Sequence, residues 1–199
     1  GYLVLAVNPR GSSSYGPAFL KAVLRDWGGE DFLDLMAAVD LVSERPYVDT
    51  NRLGVHGYSY GGYMSSWIIG HDHRFKAAVI GAPCINLHSM YGTSDIGVSF
   101  GENQWGGSSI KDVQALLERS PLTFAPAVQT PALLLHGEQD YRCPIEQSEQ
   151  FFVALKRQSK DVELVRFPDS AHGFPQAAHP RLREQYYQRM VDWFARYLG

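Results

Sequence analysis

The sequence is poor in cysteine. Only two of its 199 residues are cysteine, Cys84 and Cys143, and they form neither a CxxC pair nor a Cys/His spacing typical of metal ligands. A metal site built on cysteine is therefore excluded. The scarcity favours a reduced, cytoplasmic setting, and it leaves a disulfide open.

The sequence also lacks an excess of basic residues and a long apolar run. Its formal net charge is −3, with lysine and arginine scattered, so a nucleic-acid partner is excluded. The apolar run Tyr2–Val7 is too short to cross a bilayer and follows no charged leader, so no membrane association is predicted. The content of 45% hydrophobic and 20% charged residues indicates one globular domain over residues 1–199.

Short apolar runs alternate with segments of helical period along the chain. This alternation predicts an α/β fold, with a mostly parallel sheet flanked by helices. The predicted strands are Tyr2–Val7, Arg52–His56, Ala77–Ile80, Ala132–His136 and Val162–Phe167. The predicted helices are Asp31–Glu44, Tyr60–Ile69, Ile110–Glu118, Ile145–Arg157 and Pro180–Tyr197. The Gly/Ser/Asn-rich stretch Ala82–Gly107 is predicted to be an irregular loop that borders a site.

The stretch "GVHGYSYGGYM" surrounds Ser59 with glycines, in the order G-x-S-x-G between a predicted strand and a predicted helix. This arrangement is typical of a nucleophile elbow, which lifts the serine hydroxyl above the sheet. Gly57 and Gly61 are expected to give the clearance for the tight turn, and Gly62 to extend it. The amide of Tyr60, at the start of the helix, is expected to bind an oxyanion.

A serine hydroxyl needs an imidazole base, and the imidazole needs a carboxylate to fix its tautomer. Asp140 follows the strand Ala132–His136, and His172 follows the strand Val162–Phe167. In such sheets, functional groups collect beyond the carboxyl ends of the strands. The order and placement predict a triad of Ser59, Asp140 and His172.

Each of these residues has another interpretation. GYSYG alone fits a glycine-rich turn, Asp140 alone fits a turn or helix cap, and His172 alone fits an ordinary loop histidine. Asp169 is a competing acid near His172, although a loop neighbour is more typical of a turn. The combination of three strand-end placements favours the triad.

The remaining motifs favour structural roles. His71 and His73 have no third ligand at a metal spacing, and "NPRGSSSYG" lacks the G-K-[ST] ending of a phosphate loop. His56 and His136 end central strands, where a hydrogen-bonded structural role is expected. The sequence predicts neither a metal nor a cofactor.

With these motifs in their order, the chain resembles the hydrolase domain of the prolyl oligopeptidase family, nearest to its acylaminoacyl-peptidase and dipeptidyl-aminopeptidase-like members. The resemblance covers nearly the whole chain. It is carried by "NPRGSSSYG", "DWGGEDFLDLMAAVD", "RLGVHGYSYGGYM", "YGTSDIG", "ERSPL", "LLLHGEQDYRCPIEQSEQFFVAL" and "FPDSAHGF".

The resemblance implies an α/β-hydrolase fold and a serine peptidase acting on short peptides. It implies Ser59 as nucleophile, Asp140 as acid, His172 as base and Tyr60 as oxyanion donor. Arg142 matches a position at which acylaminoacyl peptidases hold an arginine that contacts the substrate; its other interpretation is a surface ion-pair partner. The stretch 82–107 is expected to form part of the pocket for the residue before the cut.

The chain also departs from the family pattern. Family members carry an amino-terminal propeller, and earlier strands with an HGGP-like turn, before the segment that begins at Gly1. The chain is therefore expected to be an N-terminally incomplete fragment whose free sheet edge favours homo-oligomers or edge-paired association. Two alternatives stay open: a carboxylesterase of the same fold, and a non-catalytic fragment missing part of its oxyanion site.

Overall fold

A four-stranded parallel sheet forms the centre of the molecule. The computed structural model describes residues 1–199, and the strands stand side by side in chain order. They are β1 (Gly54–Tyr58), β2 (Ala77–Gly81), β3 (Ala132–Gly137) and β4 (Val162–Phe167). Because all four run in one direction, their carboxyl ends meet at one edge of the sheet. The α/β class and four of the five predicted strands are confirmed.

Nine α-helices and one 3₁₀ helix accompany the sheet. The α-helices are α1 (Pro17–Lys21), α2 (Glu30–Ser43), α3 (Tyr60–His71), α4 (Leu87–Thr93), α5 (Gly97–Gln104), α6 (Val113–Glu118), α7 (Glu146–Lys156), α8 (Phe174–Ala177) and α9 (Pro180–Leu198); the 3₁₀ helix is Pro121–Ala127. All five predicted helices are present, although α6 begins three residues later than expected. None of the helices is long and apolar enough to pass through a bilayer.

Both faces of the sheet are covered, which is why its central strands lack polar alternation. Every residue of β2 and β3 is buried. Successive residues point to opposite faces, so Ala78 and Ile80 pack with α3 and α7, whereas Ala77 and Val79 pack with α9. The burial stabilises strongly, since each fully buried large aliphatic side chain contributes about 1.5–3 kcal/mol.

The predicted first strand is wrong. Residues Tyr2–Val7 have no regular secondary structure, and none of them makes a backbone hydrogen bond to another segment. Their apolar character fits a strand, but a strand exists only where its amides and carbonyls pair with a neighbour. The segment is largely exposed, with Tyr2 against the ring of Phe194. β1 is consequently an edge strand paired with β2 alone, and association through that edge stays a prediction.

The predicted irregular loop Ala82–Gly107 is also wrong in part, because it contains α4 and α5. Asn86 caps α4 by accepting a hydrogen bond from the amide of Ser89, and Leu87 and Met90 are buried. Most of the glycines and serines that suggested a loop lie within these short helices. Capping and burial of apolar positions outweigh the weak helix propensity of this stretch.

Candidate active site

Ser59 stands alone between the last residue of β1 and the first residue of α3. Its backbone has φ 59° and ψ −117°, a conformation that residues other than glycine rarely adopt. The turn is held from both sides, because the Ser59 amide donates to the carbonyl of Gly81 at 2.9 Å and the Ser59 carbonyl accepts from Tyr63 at 2.9 Å. The strand-turn-helix geometry predicted for the elbow is present.

Of the three glycines, Gly57 and Gly62 are required by close contacts, and Gly61 is not. A Cβ on Gly57 would lie 2.1 Å from the carbonyl oxygen of Gly61, and one on Gly62 would lie 2.4 Å from that of Gly81. A Cβ on Gly61 would meet nothing within 4 Å. The expectation that a side chain on Gly61 would crowd the turn is therefore not supported at its Cβ: the backbone of Gly61, which Gly57 approaches, is what needs the space.

Gly57→Ala is expected to destabilise the fold by about 3 kcal/mol or more, because the contact is with backbone that cannot move without displacing α3. Gly61→Ala is the matched control. It should be neutral, or stabilising by up to about 1 kcal/mol, because alanine favours a helix more than glycine does. Urea unfolding of both variants measures the difference. Equal losses of stability in the two variants would contradict this account of the turn.

The side chains of Ser59, Asp140 and His172 lie in contact above the carboxyl edge of the sheet. His172 Nε2 is 2.9 Å from Ser59 Oγ, and His172 Nδ1 is 2.7 Å from Asp140 Oδ2. Asp140 follows β3 and His172 follows β4, so parallel neighbouring strands deliver them to one place. The competing acid Asp169 is exposed and accepts from Gln139 instead. The imidazole can thus bridge a hydroxyl and a carboxylate.

Asp140 is buried but fully provided with hydrogen-bond donors. Its Oδ1 accepts from the amides of Arg142 at 3.0 Å and Cys143 at 2.9 Å. Burial alone would raise the pKa of Asp140, but the hydrogen bonds from His136 and His172 outweigh it and lower the pKa to about 2. The carboxylate is therefore charged at neutral pH. It caps no helix, since α7 begins only at Glu146.

Tyr58 anchors the loop that carries His172, a role that the sequence interpretation missed. Its hydroxyl donates to the carbonyl oxygen of His172 at 2.6 Å, and the two rings are 5.4 Å apart. Burial raises the pKa of Tyr58, so the hydroxyl keeps its proton and remains a donor. Its place directly before Ser59 was the only signal in the sequence.

Tyr60 is held by a second buried carboxylate. Its hydroxyl donates to Asp31 Oδ2 at 2.5 Å, and Asp31 has no exposed surface. Burial raises the pKa of Asp31 despite this hydrogen bond. As the first residue of α3, Tyr60 has no helical partner for its amide, which is the feature required of an oxyanion donor.

Arg142 lies in the same loop as Asp140 but points its side chain at Asp95. The Nε of Arg142 is 2.8 Å from Asp95 Oδ1, and the hydrogen bond to Asp95 raises the pKa of Arg142. Both side chains are nearly half exposed. The ion-pair interpretation of Arg142 is thus satisfied by the structure, while the outer nitrogen Nη1 has no partner in the protein.

The two cysteines meet beside this site without forming a disulfide. Their Sγ atoms are 3.5 Å apart and both residues are buried. Contact with Cys84 and then burial raise the pKa of Cys143 far above its usual range, so the thiol stays protonated. Cys143 is therefore no rival to Ser59 as a nucleophile.

Comparisons of sequence and of structure both relate this chain to peptidases. The model of the prolyl oligopeptidase family matches residues 1–199. An uncharacterized peptidase, YuxL, of Bacillus subtilis is 48% identical over the whole chain, and the acylamino-acid-releasing enzyme of Sus scrofa is 31% identical. The chain spans 30% and 28% of their lengths. The acylaminoacyl peptidase of Pyrococcus horikoshii superposes with a TM-score of 0.93 and 35% identity, over 96% of this chain and 32% of that one.

Proposed function

Because this chain belongs to the prolyl oligopeptidase family, we propose that it is the catalytic part of a serine peptidase that hydrolyses short peptides. The observation that carries the proposal is the pair of contacts of His172, with Ser59 Oγ at 2.9 Å and Asp140 at 2.7 Å. These are the contacts that nucleophilic catalysis by serine requires.

In this mechanism, Ser59 Oγ attacks the scissile carbonyl carbon while His172 Nε2 accepts the hydroxyl proton. Asp140 accepts a hydrogen bond from the Nδ1–H of His172, holds the ring in the required tautomer and stabilises the imidazolium while itself remaining unprotonated. His172 then gives its proton to the leaving amine. A water molecule hydrolyses the acyl group from Ser59 by the same steps in reverse, with His172 again as the base.

The Tyr60 amide binds the oxyanion of each tetrahedral intermediate. Two features support this role: the amide is free at the start of α3, and the Asp31 contact fixes the Tyr60 side chain. The loss of one such donor typically lowers kcat about 10²- to 10³-fold. The fixed position matters because the donor must already face the oxygen when charge develops.

Labelling by a fluorophosphonate and hydrolysis of a matched amide and ester pair test the proposed function in the full-length protein. Stoichiometric labelling at Ser59 with turnover of the amide supports a peptidase. Turnover of the ester alone would indicate a carboxylesterase. No labelling of a folded protein would contradict the proposal.

We propose that the substrate is a peptide with an acylated or free amino-terminal residue or dipeptide, bound in part by Arg142. The guanidinium stands two residues after Asp140, and its unpartnered Nη1 offers a donor to a carbonyl oxygen of the bound peptide or its acyl cap. Asp95 would hold the planar group in one orientation, which reduces the entropy lost on binding.

Arg142→Ala is expected to lower kcat/KM for an acyl-amino-acid or dipeptide substrate by about tenfold to a hundredfold, the loss of one hydrogen bond to a charged group. A small ester such as p-nitrophenyl acetate, which has no such carbonyl, should keep its rate. Arg166→Ala is the matched control, because Arg166 is equally exposed and also ion-paired. Equal losses on the peptide and the ester would mean that Arg142 only supports the Asp140 loop.

A further inference from the structure

A second histidine, His136, lies at the carboxyl end of strand β3 and contacts the carboxylate of Asp140, as His172 does. His136 has no exposed surface, and its Nε2 lies 3.3 Å from Asp140 Oδ2. The same nitrogen lies 2.7 Å from the carbonyl oxygen of Cys143, and Nδ1 lies 2.7 Å from Ser148 Oγ on α7. The ring therefore joins β3, the loop of Asp140 and α7.

The contacts of His136 fix its tautomer. Nε2 faces a carbonyl oxygen and a carboxylate oxygen, which only accept hydrogen bonds, so Nε2 carries a proton. Nδ1 faces a hydroxyl, which can donate. A ring with its proton on Nε2 and the Ser148 hydroxyl donating to Nδ1 satisfies every contact.

Asp140 Oδ2 consequently lies near two imidazoles: His172 is its hydrogen-bond donor, whereas the Nε2–H of His136 donates mainly to the carbonyl oxygen of Cys143 and makes a longer polar contact with Oδ2. His172 Nδ1 approaches it at 2.7 Å and His136 Nε2 at 3.3 Å. Two backbone amides occupy Oδ1. The shorter distance gives His172 the stronger bond, while the positive end of the His136 N–H dipole lies close enough to Oδ2 to stabilise its negative charge.

We propose that His136 is a positioning residue for the hydrolysis: it orients Asp140 toward His172 and sets how much negative charge His172 experiences. The inference rests on the proposed function, since it concerns the triad of that reaction. It goes beyond the structural role expected from the sequence, in which His136 would serve packing and hydrogen bonding only.

Removal of the His136 donor has two consequences of different kinds. Asp140 gains freedom to rotate, so His172 is less often aligned with Ser59 and kcat falls. At the same time the charge on Oδ2 is no longer shared, so the imidazolium of His172 is stabilised more strongly. The acid limb of the pH profile of kcat/KM therefore moves to higher pH.

Three variants of the full-length protein separate this role from packing. His136→Leu removes all polar contacts. His136→Asn retains an amide near Nδ1, facing Ser148, but is too short to reach Asp140, whereas His136→Gln extends an amide to the position of Nε2. For Leu and Asn, we expect kcat to fall about tenfold to a hundredfold with KM nearly unchanged, and the acid limb to move to higher pH. The His136→Gln variant should recover most of the wild-type kcat, and the acid limb of its pH profile should lie at the wild-type pH.

The proton on His172 Nδ1 gives a readout that does not depend on turnover. Its NMR resonance reports the hydrogen bond to Asp140, so it should shift or broaden in the Asn variant and return toward the wild-type position in the Gln variant. A loss of thermal stability without these changes is what a packing role alone predicts.

Several outcomes would overturn the proposal. One is equal kinetics and equal acid limbs for Asn and Gln; another is a folded Leu variant with wild-type kcat. If the Leu variant does not fold, the Asn and Gln pair decides the question. An inactive wild-type protein would contradict the proposed function itself, and in that case the His172 resonance still tests whether His136 positions Asp140.

Discussion

Ser59→Ala in the full-length protein is expected to lower kcat for a peptide substrate by about 10⁶, the scale of loss seen when a triad nucleophile is removed. His172 Nε2 has one hydrogen-bond partner in the protein, Ser59 Oγ at 2.9 Å. The methyl group of alanine leaves the turn intact, so the loss reflects chemistry rather than folding. Steady-state kinetics and fluorophosphonate labelling measure it.

Ser13→Ala is the control for this experiment, since Ser13 is exposed and lies outside the site. It should keep wild-type kcat and labelling. KM of the Ser59 variant, or its affinity for a product peptide, should change little. If the Ser59 variant retained more than a small fraction of wild-type turnover, another residue would have to be the nucleophile. The main support for the proposed function would then be lost.

Asp140→Asn is expected to lower kcat by about 10⁴ because it reverses the tautomer of His172. The asparagine carbonyl can still accept from the amides of Arg142 and Cys143. Its NH₂ group then faces His172 Nδ1, which must become an acceptor. Nε2 would carry the proton toward Ser59 and could not receive another. Kinetics at several pH values measure the effect, which should shrink as hydroxide replaces the missing base.

Asp169→Asn is the matched control, because Asp169 is the other acid of the adjoining loop and is exposed. It should retain wild-type kcat. If Asp169→Asn lowered kcat more than Asp140→Asn did, the acid that orients His172 would be Asp169, which follows β4, and not Asp140, which follows β3. A similar loss in both variants would indicate instead that the two loops depend on each other for their structure.

The arrangement of Ser59, Asp140 and His172 could be predicted because it depends on topology. Each residue follows a strand of the sheet, and parallel strands bring their carboxyl ends to one edge. The positions of the predicted strands and the order of the motifs along the chain were therefore enough to predict this arrangement. Strands β2 and β3 could be predicted from burial as well, since residues buried on both faces leave a continuous apolar signal.

The contacts that support the site could not be predicted in the same way. The pairs Arg142–Asp95 and Tyr60–Asp31 join residues 47 and 29 positions apart, and no periodicity marks them. The prediction of a strand at Tyr2–Val7 was wrong for a related reason. An apolar run shows that a strand is favourable, but it does not show that another strand lies close enough to pair with it. Gly61 shows a further limit: a motif names the residues of a turn without saying which backbone approaches which side chain.

The backbone of Ser59 bears on what selection has favoured in this chain. A non-glycine residue at φ 59° and ψ −117° costs about 1–3 kcal/mol relative to a relaxed conformation. Glycine would adopt these angles freely, so a search for thermal stability alone would replace the serine, and alanine would bring no such relief. A stability-guided redesign of this protein would therefore favour glycine at position 59 and discard the proposed nucleophile, unless that position were held fixed.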